Sequence, residues 1–546
     1  MRRKLLALVL GMGLVVAGCA SDDDGDDNAQ PTPGVTTTIP QIPTLRFANT
    51  SAEKNLTPWT QGSGYPGYYM MTLVYDTLAW INPDGKPEPW LAKEYSADPT
   101  GLRWTVKLHE GVTFHDGRPL TSADVKFTVE YLTKNARPRW ILTNIDRVET
   151  PDPLTAVFVL KEPKASFVLN PLADLPIIPQ HIWSSIEKPL DQTTQLPIGS
   201  GPYRLVEYVE NQVHRFQANP GYFKGKPIVD EIVMPYIATT QAAFTAVQSG
   251  QADAVSVSLT PELKAQFNQG GLKTAGGSGY RGWYLYMNNG RAPFDKAEFR
   301  QAMAAAVNND DIVATALLGA GATGSPGFAH RSTPWSNPAT REGRLDLNKA
   351  RSLLDGLGYR DTNNDGVREM GTTKLEFDLV VRNNDPVAVR AAELISQSVA
   401  MAGVKLNVAA LDQTTAGART WPDYAIGATP KGDYTIALFS WAAAVQQDPD
   451  FLRSMFHSST TLGTLNRAGY KNTQYDDLAD QQTKAVDDAT RNRILGQMQD
   501  ILAKDMPAYA LFYPDDIFPY KVSAFDRWVY YKGVGILNKA PLLAPK

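Results

Sequence analysis

The chain has 546 residues, 53 basic and 57 acidic side chains, six histidines and one cysteine, for a formal net charge of −4. Charges of both signs are interspersed and no basic block occurs, which argues against nucleic acid as a partner. A single cysteine excludes an internal disulfide, and about 500 residues beyond the N-terminal segments are more than one core usually serves.

The chain opens with "MRRK", the apolar run "LLALVLGMGLVVA" and the small residues "GCA". This order predicts a secretory signal over 1–18. The apolar run is shorter than the roughly 20 residues of a spanning helix. "VAGC" resembles the lipobox of bacterial lipoproteins, which implies cleavage before Cys19 and a lipid on that residue. The mature chain then has no free thiol and no thiolate metal site. Residues 19–43 are acidic, then rich in Pro and Thr. Such a segment buries too little apolar surface to order itself and predicts a disordered tether.

In "LRWTVKLHEG", Trp104, Val106 and Leu108 alternate with Arg103, Thr105 and Lys107, the pattern of a half-buried strand. A helix follows in "LTSADVKFTVEYL", with Thr121 as N-cap and Asp124 three residues on. "DRVETPDPLTAVFVL" predicts two strands around a Pro-Asp-Pro turn, "QAAFTAVQSG" a helix and "GWYLYMNN" a strand. In "FDKAEFRQAMAAAV", Asp295 and Glu298 stand at capping-box spacing. "DPVAVRAAELISQSVAMAG" predicts a helix capped by Asp385, with Pro386 first and Gly403 at its stop. The strands "VKLNVAAL" and "YTIALFSW" follow, the second ending at Trp441. Asp448-Pro449 then predicts another helix start, and two helices precede Pro507. Strands and helices alternate throughout, so the class is α/β.

The segments "VYDTLAWINPDGKPEPWLAKEY", "LRWTVKLHEGVTFHDGRPLTSADVKFTVE", "PIGSGPYRLVEY", "NPGYFKGKP", "MNNGRAPFDKAEFRQAMAAAVNNDDIV" and "LFSWAAAVQQDPDF" resemble, in this order, the family 5 extracellular solute-binding proteins of bacterial ABC importers. The resemblance implies a two-lobed periplasmic-binding-protein fold of type II, in its large variant, with the ligand cleft between the lobes. Lobe I is expected to comprise 44–60, 190–285 and 515–546, with 61–189 as its extra subdomain. Lobe II is expected to span 286–514. The implied role is capture of a peptide or peptide-like solute by a monomer, held to the membrane by its lipid only, for delivery to permease subunits. The implied place is the outer face of the cytoplasmic membrane or the periplasm.

The resemblance also places residues at the cleft. Trp441 and the small residues Ala442 and Ala444 follow a strand that faces ligand in the family. Peptide binders of the family carry Trp-x-x-Asp, whose aspartate pairs with the peptide amine; here that position is Ala444. A buried ammonium without a counter-charge is costly, so an oligosaccharide ligand is the alternative, and whether Asp448 replaces the missing carboxylate is left open. Gln446 and Gln447 offer neutral donors and acceptors. Tyr65, Tyr68 and Tyr69, with Trp59 a weaker candidate, offer aromatic surface. Asn49, Thr50, Asn466 and Tyr470 match cleft segments.

No cofactor or metal is expected. The six histidines show no pair at helical ligand spacing. "DTNNDGVREMGT" resembles a calcium loop in Asp361, Asn363, Asp365 and Gly366, but Thr372 stands at its twelfth position, where a bidentate glutamate is required. Turn chemistry accounts for these residues without a metal. No zincin, nucleophile-elbow, Walker or dinucleotide motif is present, so the chain is not expected to be an enzyme. A ligand sensor and a glycan-active enzyme are the remote alternatives; the latter needs two carboxylates roughly 5–10 Å apart across a cleft.

Overall fold

A computed structural model describes residues 40–544 except 62–63, 138, 141, 342, 421–432 and 442–443. The expected signal, Cys19 and Ala442 lie outside the described residues, as does the tether up to residue 39. Twelve strands join one sheet. In chain order they are β1 (Ile42–Ala48), β2 (Tyr203–Val209), β3 (Val213–Ala218), β4 (Val229–Pro235), β5 (Ala254–Val255), β6 (Leu272–Ser278), β7 (Gly282–Met287), β8 (Gly321–Thr323), β9 (Glu376–Arg382), β10 (Lys405–Leu411), β11 (Ile436–Trp441) and β12 (Ala508–Lys521). The lateral order is β10-β9-β11-β7-β12-β5-β1-β4-β3-β2, with β6 and β8 also pairing β12. β9 is parallel to β10 and β11, and β1 is parallel to β4 and β5.

β12 is 14 residues long. Its first part pairs β7 and, as far as Pro514, β8. From Asp515 to Lys521 it pairs β6, and Tyr520 also pairs Ala254 of β5. One strand therefore belongs to both halves of the sheet. The boundary expected at 514/515 falls at this hand-over, while the one at 285/286 falls inside β7.

β7 shows why its half of the sheet is covered on both faces. All six of its residues are buried, and side chains alternate with period two along a strand. Trp283, Leu285 and Met287 enter a core shared with the helices Ala297–Ala306, Leu347–Gly356 and Pro386–Ala400. Tyr284 and Tyr286 enter a second core with Leu452, Tyr475 and Leu495 from the helices Asp450–Phe456, Thr473–Thr483 and Asp488–Asp505. Burying a large apolar side chain contributes about 1.5–3 kcal/mol, so a strand used on both faces anchors two helical layers.

Local signals explain most element ends. Asp124 Oδ2 accepts from Thr121 N at 2.9 Å at the start of helix Ser122–Lys134. Asp385 Oδ1 accepts from Ala388 N at 3.0 Å, Pro386 is the first helical residue, and Gly403 turns the chain at φ +88° before β10. The capping box at Asp295 and Glu298 does not form: the helix starts at Ala297, with Lys296 before it. Asp295 N and Lys296 N instead donate to Arg291 O and Pro293 O, so these residues complete the preceding turn. A separate four-stranded antiparallel sheet contains Arg103–Leu108, whose Val106 and Leu108 are buried and whose Arg103 and Lys107 are exposed, as expected.

Candidate ligand cleft

In open α/β sheets, ligands dock beyond the carboxyl ends of parallel strands. On one half those ends are Arg382 of β9, Leu411 of β10 and Trp441 of β11. On the other half β1, β4 and β5 end just before Asn49, Tyr236 and Ser256. Contacts cross between the halves: His330 Nε2 lies 2.9 Å from Ser278 Oγ, Gln447 Nε2 donates to Lys532 O at 3.1 Å, and Arg390 pairs with Glu262 at 2.7 Å. A cavity of about 270 Å³ lined by Glu376, Asp378 and Asn407 opens at the opposite, amino ends of β9 and β10, away from this site.

The carboxyl end of β11 carries an aromatic wall with cations. Phe439 and Trp441 are two residues apart and half-buried. Their rings meet edge to face at 5.5 Å, and Trp441 Nε1 donates to Tyr286 Oη at 2.6 Å. The Arg467 guanidinium lies 3.7 Å from the Phe439 ring centroid and 5.1 Å from that of Trp441. Arg382 lies 5.0 Å from the same Phe439 ring, and its Nε is buried without a hydrogen-bond partner among the described residues. Such a surface offers stacking and a cation for an anionic group. Sequence reasoning found Trp441 but missed Phe439, Arg382 and Arg467. The available signals were period-two spacing from Trp441, the end of the strand "EFDLVVR", and the residue beside Asn466.

Several expected contact residues are consumed by the fold. Gln446 is buried: its Oε1 accepts from His330 N at 2.6 Å, and its Nε2 donates to Phe328 O at 3.0 Å. Asn466 Nδ2 donates to His457 O and Tyr470 O, while its Oδ1 accepts from Tyr470 N. The Tyr470 hydroxyl donates to Asp505 Oδ2 at 2.5 Å. These side chains hold the wall's backing because their polar atoms already have partners. Asn49 is buried, donates to Ser51 O at 2.8 Å and lies beside Ser256, whose hydroxyl is 3.4 Å from Thr50 N. Tyr68 is buried, with Arg139 stacked 3.7 Å above it and its hydroxyl on Asp174 O. Trp59 is a core ring against Trp183. Tyr65 and Tyr69 are half-buried and 5.8 Å apart. Ala444 is the first residue of the short helix Ala444–Gln447.

Asp448 is committed away from the wall. Its Oδ1 accepts from Asp450 N at 3.1 Å and faces Arg491 Nη2 at 3.4 Å. The helix begins at Asp450, one residue later than Asp448-Pro449 implies, with Pro449 as its N-cap. Burial and the charge of Asp450 push the Asp448 carboxyl up to about 6, against Arg491 and Lys164.

Two histidines are buried neutral. Gly199 N donates to His115 Nδ1, leaving Nε2 to donate to Gly201 O, and Ser332 N donates to His330 Nδ1. Burial pushes both down to about 4 from an ordinary 6.5. Between these values the unfolded chain binds protons at both sites and the native chain does not, so stability rises with pH. Asp448 acts oppositely, because its folded value is raised. Urea unfolding from pH 4 to 6.5 is expected to show a net rise. Replacing both histidines by Gln is expected to flatten it, leaving the smaller rise from His214, which burial also pushes down; a flat wild-type profile refutes the assignment.

The sheet and its covering layers define the fold of two-lobed substrate-binding proteins. CtaP, an ABC transporter substrate-binding protein from Listeria monocytogenes, matches with a TM-score of 0.79 at 24% identity, over 91% of this chain and 98% of that one. In sequence, residues 86–463 match the bacterial extracellular solute-binding proteins, family 5 Middle, and the chain belongs to that family. The oligopeptide-binding protein AppA of Bacillus subtilis (strain 168) is 27% identical over 427 residues, 76% of each chain. Di/tripeptide-binding protein 3 of Pseudomonas aeruginosa (strain UCBPP-PA14) is 28% identical over 487 residues, 83% of this chain and 86% of that one. The family is one of binding proteins, not enzymes, and this chain is a solute-binding protein of the ABC-importer class. Among the described residues, no helix is long and apolar enough to cross a membrane.

Proposed function

We propose that the protein is a lipid-anchored receptor that captures a peptide or peptide-like solute between two closing lobes and delivers it to an ABC permease. The lobes are those expected above, with β12 shared between them and the hand-over at Pro514 and Asp515 as a hinge. Each lobe buries part of the ligand only when closed, so ligand shifts the hinge equilibrium. The observation that carries this reading is the aromatic wall of Phe439 and Trp441 beside Arg382, whose Nε lacks a partner among the described residues. It favours a ligand with a carboxylate over a neutral one. The names of AppA and the di/tripeptide-binding relative support the peptide class. With Ala444 at the usual aspartate position and Asp448 held by Arg491, the ligand's charged anchor is its carboxylate rather than its amine. The lipid anchor rests on "VAGC", and Cys19→Ser is expected to release the protein from membranes.

Calorimetry on the mature protein tests the ligand. One series holds short peptides as free acids, C-terminal amides and N-acetyl forms; another holds neutral oligosaccharides. A charge-assisted hydrogen bond contributes about 1.5–3 kcal/mol, so amidation is expected to weaken binding at least about tenfold and acetylation little. Trp441→Ala is expected to weaken the same peptides about tenfold through lost ring contact. Equal binding of acids and amides removes the carboxylate anchor. Binding of oligosaccharides alone favours the second reading, supported by the half-exposed Trp441 ring as a sugar-stacking surface.

A further inference from the structure

We propose that Asp361, Asp365 and Glu369 form a binding site for a divalent cation of the calcium type. The loop lies between helix Leu347–Gly356 and β9 and includes the two-stranded ribbon Glu369–Met370 and Thr373–Lys374. One carboxylate oxygen from each of Asp361, Asp365 and Glu369 lies within 4.8 Å of the others. Three like charges at that spacing call for a counter-charge. Lys374 supplies part of it through Asp365 Oδ2. Against three carboxylates, one ammonium leaves an excess that matches a divalent ion.

Glu369 provides an independent sign of a missing partner. Its residue exposure is only 6%. Oε1 accepts from Thr362 N at 2.8 Å and from the Thr362 hydroxyl. Oε2 is buried and has no hydrogen-bond partner among the described residues. A buried carboxylate oxygen left bare is costly, and a cation shared with the two aspartates would satisfy it. The donors are all hard oxygens, which suit Ca²⁺ or Mg²⁺ and not a soft transition metal. An exposed loop of carboxylates suits the flexible coordination of Ca²⁺ better than the rigid octahedron of Mg²⁺.

The sequence objection was the threonine at the twelfth loop position. In the fold, Glu369 stands at the ninth position and turns its carboxylate toward the start of the loop, against Thr362. The carboxylate missing at position twelve is thereby supplied from position nine. The role of the ion is structural: it ties the ribbon to the end of the preceding helix, outside the wall at Trp441.

The test uses the mature protein stripped with EGTA and titrated separately with calcium chloride and magnesium chloride, read by calorimetry and thermal unfolding. One calcium site is expected at or below the roughly 10⁻⁴–10⁻³ M dissociation constants of extracellular calcium modules, with weaker binding of magnesium. Calcium is expected to raise the unfolding midpoint, and EGTA to reverse the rise. Glu369→Gln and Asp361→Asn are each expected to weaken calcium at least about tenfold, since each removes a ligand charge. Lys374→Met, which removes the competing ammonium, is expected to bind it more tightly, and this variant keeps all three carboxylates should the others fail to fold. The proposal is overturned by the absence of heat and midpoint shift at about 10 mM calcium, well above that range, or by calcium effects that persist undiminished in both carboxylate variants.

Discussion

Lys539→Met is expected to destabilise the protein by about 3–5 kcal/mol, the usual cost of leaving one partner of a buried ion pair uncompensated. Lys539 Nζ lies 2.6 Å from Asp76 Oδ1, and both side chains are completely inaccessible to solvent. Burial pulls the Lys539 ammonium down, and Asp76 opposes that pull. The same carboxylate accepts from Trp90 Nε1 at 2.9 Å, Tyr222 Oη at 2.9 Å and Ser200 Oγ at 3.1 Å. Trp80 and Trp90 stand 4.4 and 4.9 Å from the ammonium. Removing the lysine leaves the carboxylate with three neutral donors in place of its nearest cation. Urea unfolding of Lys539→Met, Asp76→Asn and the double variant checks this. The double variant is expected to recover much of the loss, because neutralising both partners leaves no buried charge. A single variant within about 1 kcal/mol of wild type would show that the pair contributes little net stability.

This network draws its members from the scattered short segments that carry the resemblance. Asp76 comes from "VYDTLAW", Trp90 from "PEPWL", Ser200 from "PIGSGPY" and Tyr222 from "NPGYF". Separated in sequence, they meet at one buried charge. Gly199 and Gly201 belong to the same junction: a Cβ on either would sit 2.1 or 2.4 Å from the carbonyl oxygens of Val74 and Leu73. Lys539 closes the network from near the C-terminus, and no local pattern marks it.

Element ends were legible where the signal was chemical and local, as at Asp385-Pro386 and Thr121 with Asp124. At Asp295 and Glu298 the spacing was right, but the preceding turn claimed the residues. The binding wall was half legible. Trp441 ends an obvious strand, yet whether an amide beside it meets ligand or core depends on distant partners. Gln446 is consumed by Phe328 and His330, more than a hundred residues earlier in the chain. Arg382 is not legible, because a charge at a strand end reads as solvated until Phe439 is seen beneath it.

Arg491→Met is the second large change, expected to cost about 1.5–3 kcal/mol, the range for hydrogen bonds to charged groups, because it strips the nearest cation from a half-buried carboxylate pair. Arg491 Nη2 lies 2.6 Å from Asp450 Oδ1 and 3.4 Å from Asp448 Oδ1, with side-chain exposures of 12%, 26% and 17%. The pair also forms a seam with the segment around residue 165. Ser166 Oγ donates to Asp450 Oδ2 at 2.8 Å, and Ala165 N donates to Thr483 O at 2.8 Å. Lys164, pulled down by burial, is the remaining cation beside Asp448 and Asp450. Because the Asp448 carboxyl already sits up at about 6, the variant's loss is expected to be smaller at pH 5 than at pH 8. Protonation relieves the uncompensated charge, and the relief disappears as pH rises through the folded value. In the proposed hinge motion this seam separates on opening, so the variant is also expected to weaken ligand binding by shifting the lobes apart. Urea unfolding and calorimetry at both pH values check the two effects. A stability loss that grows toward low pH refutes the charge assignment. Unchanged ligand affinity in a folded variant refutes the role of the seam in closure.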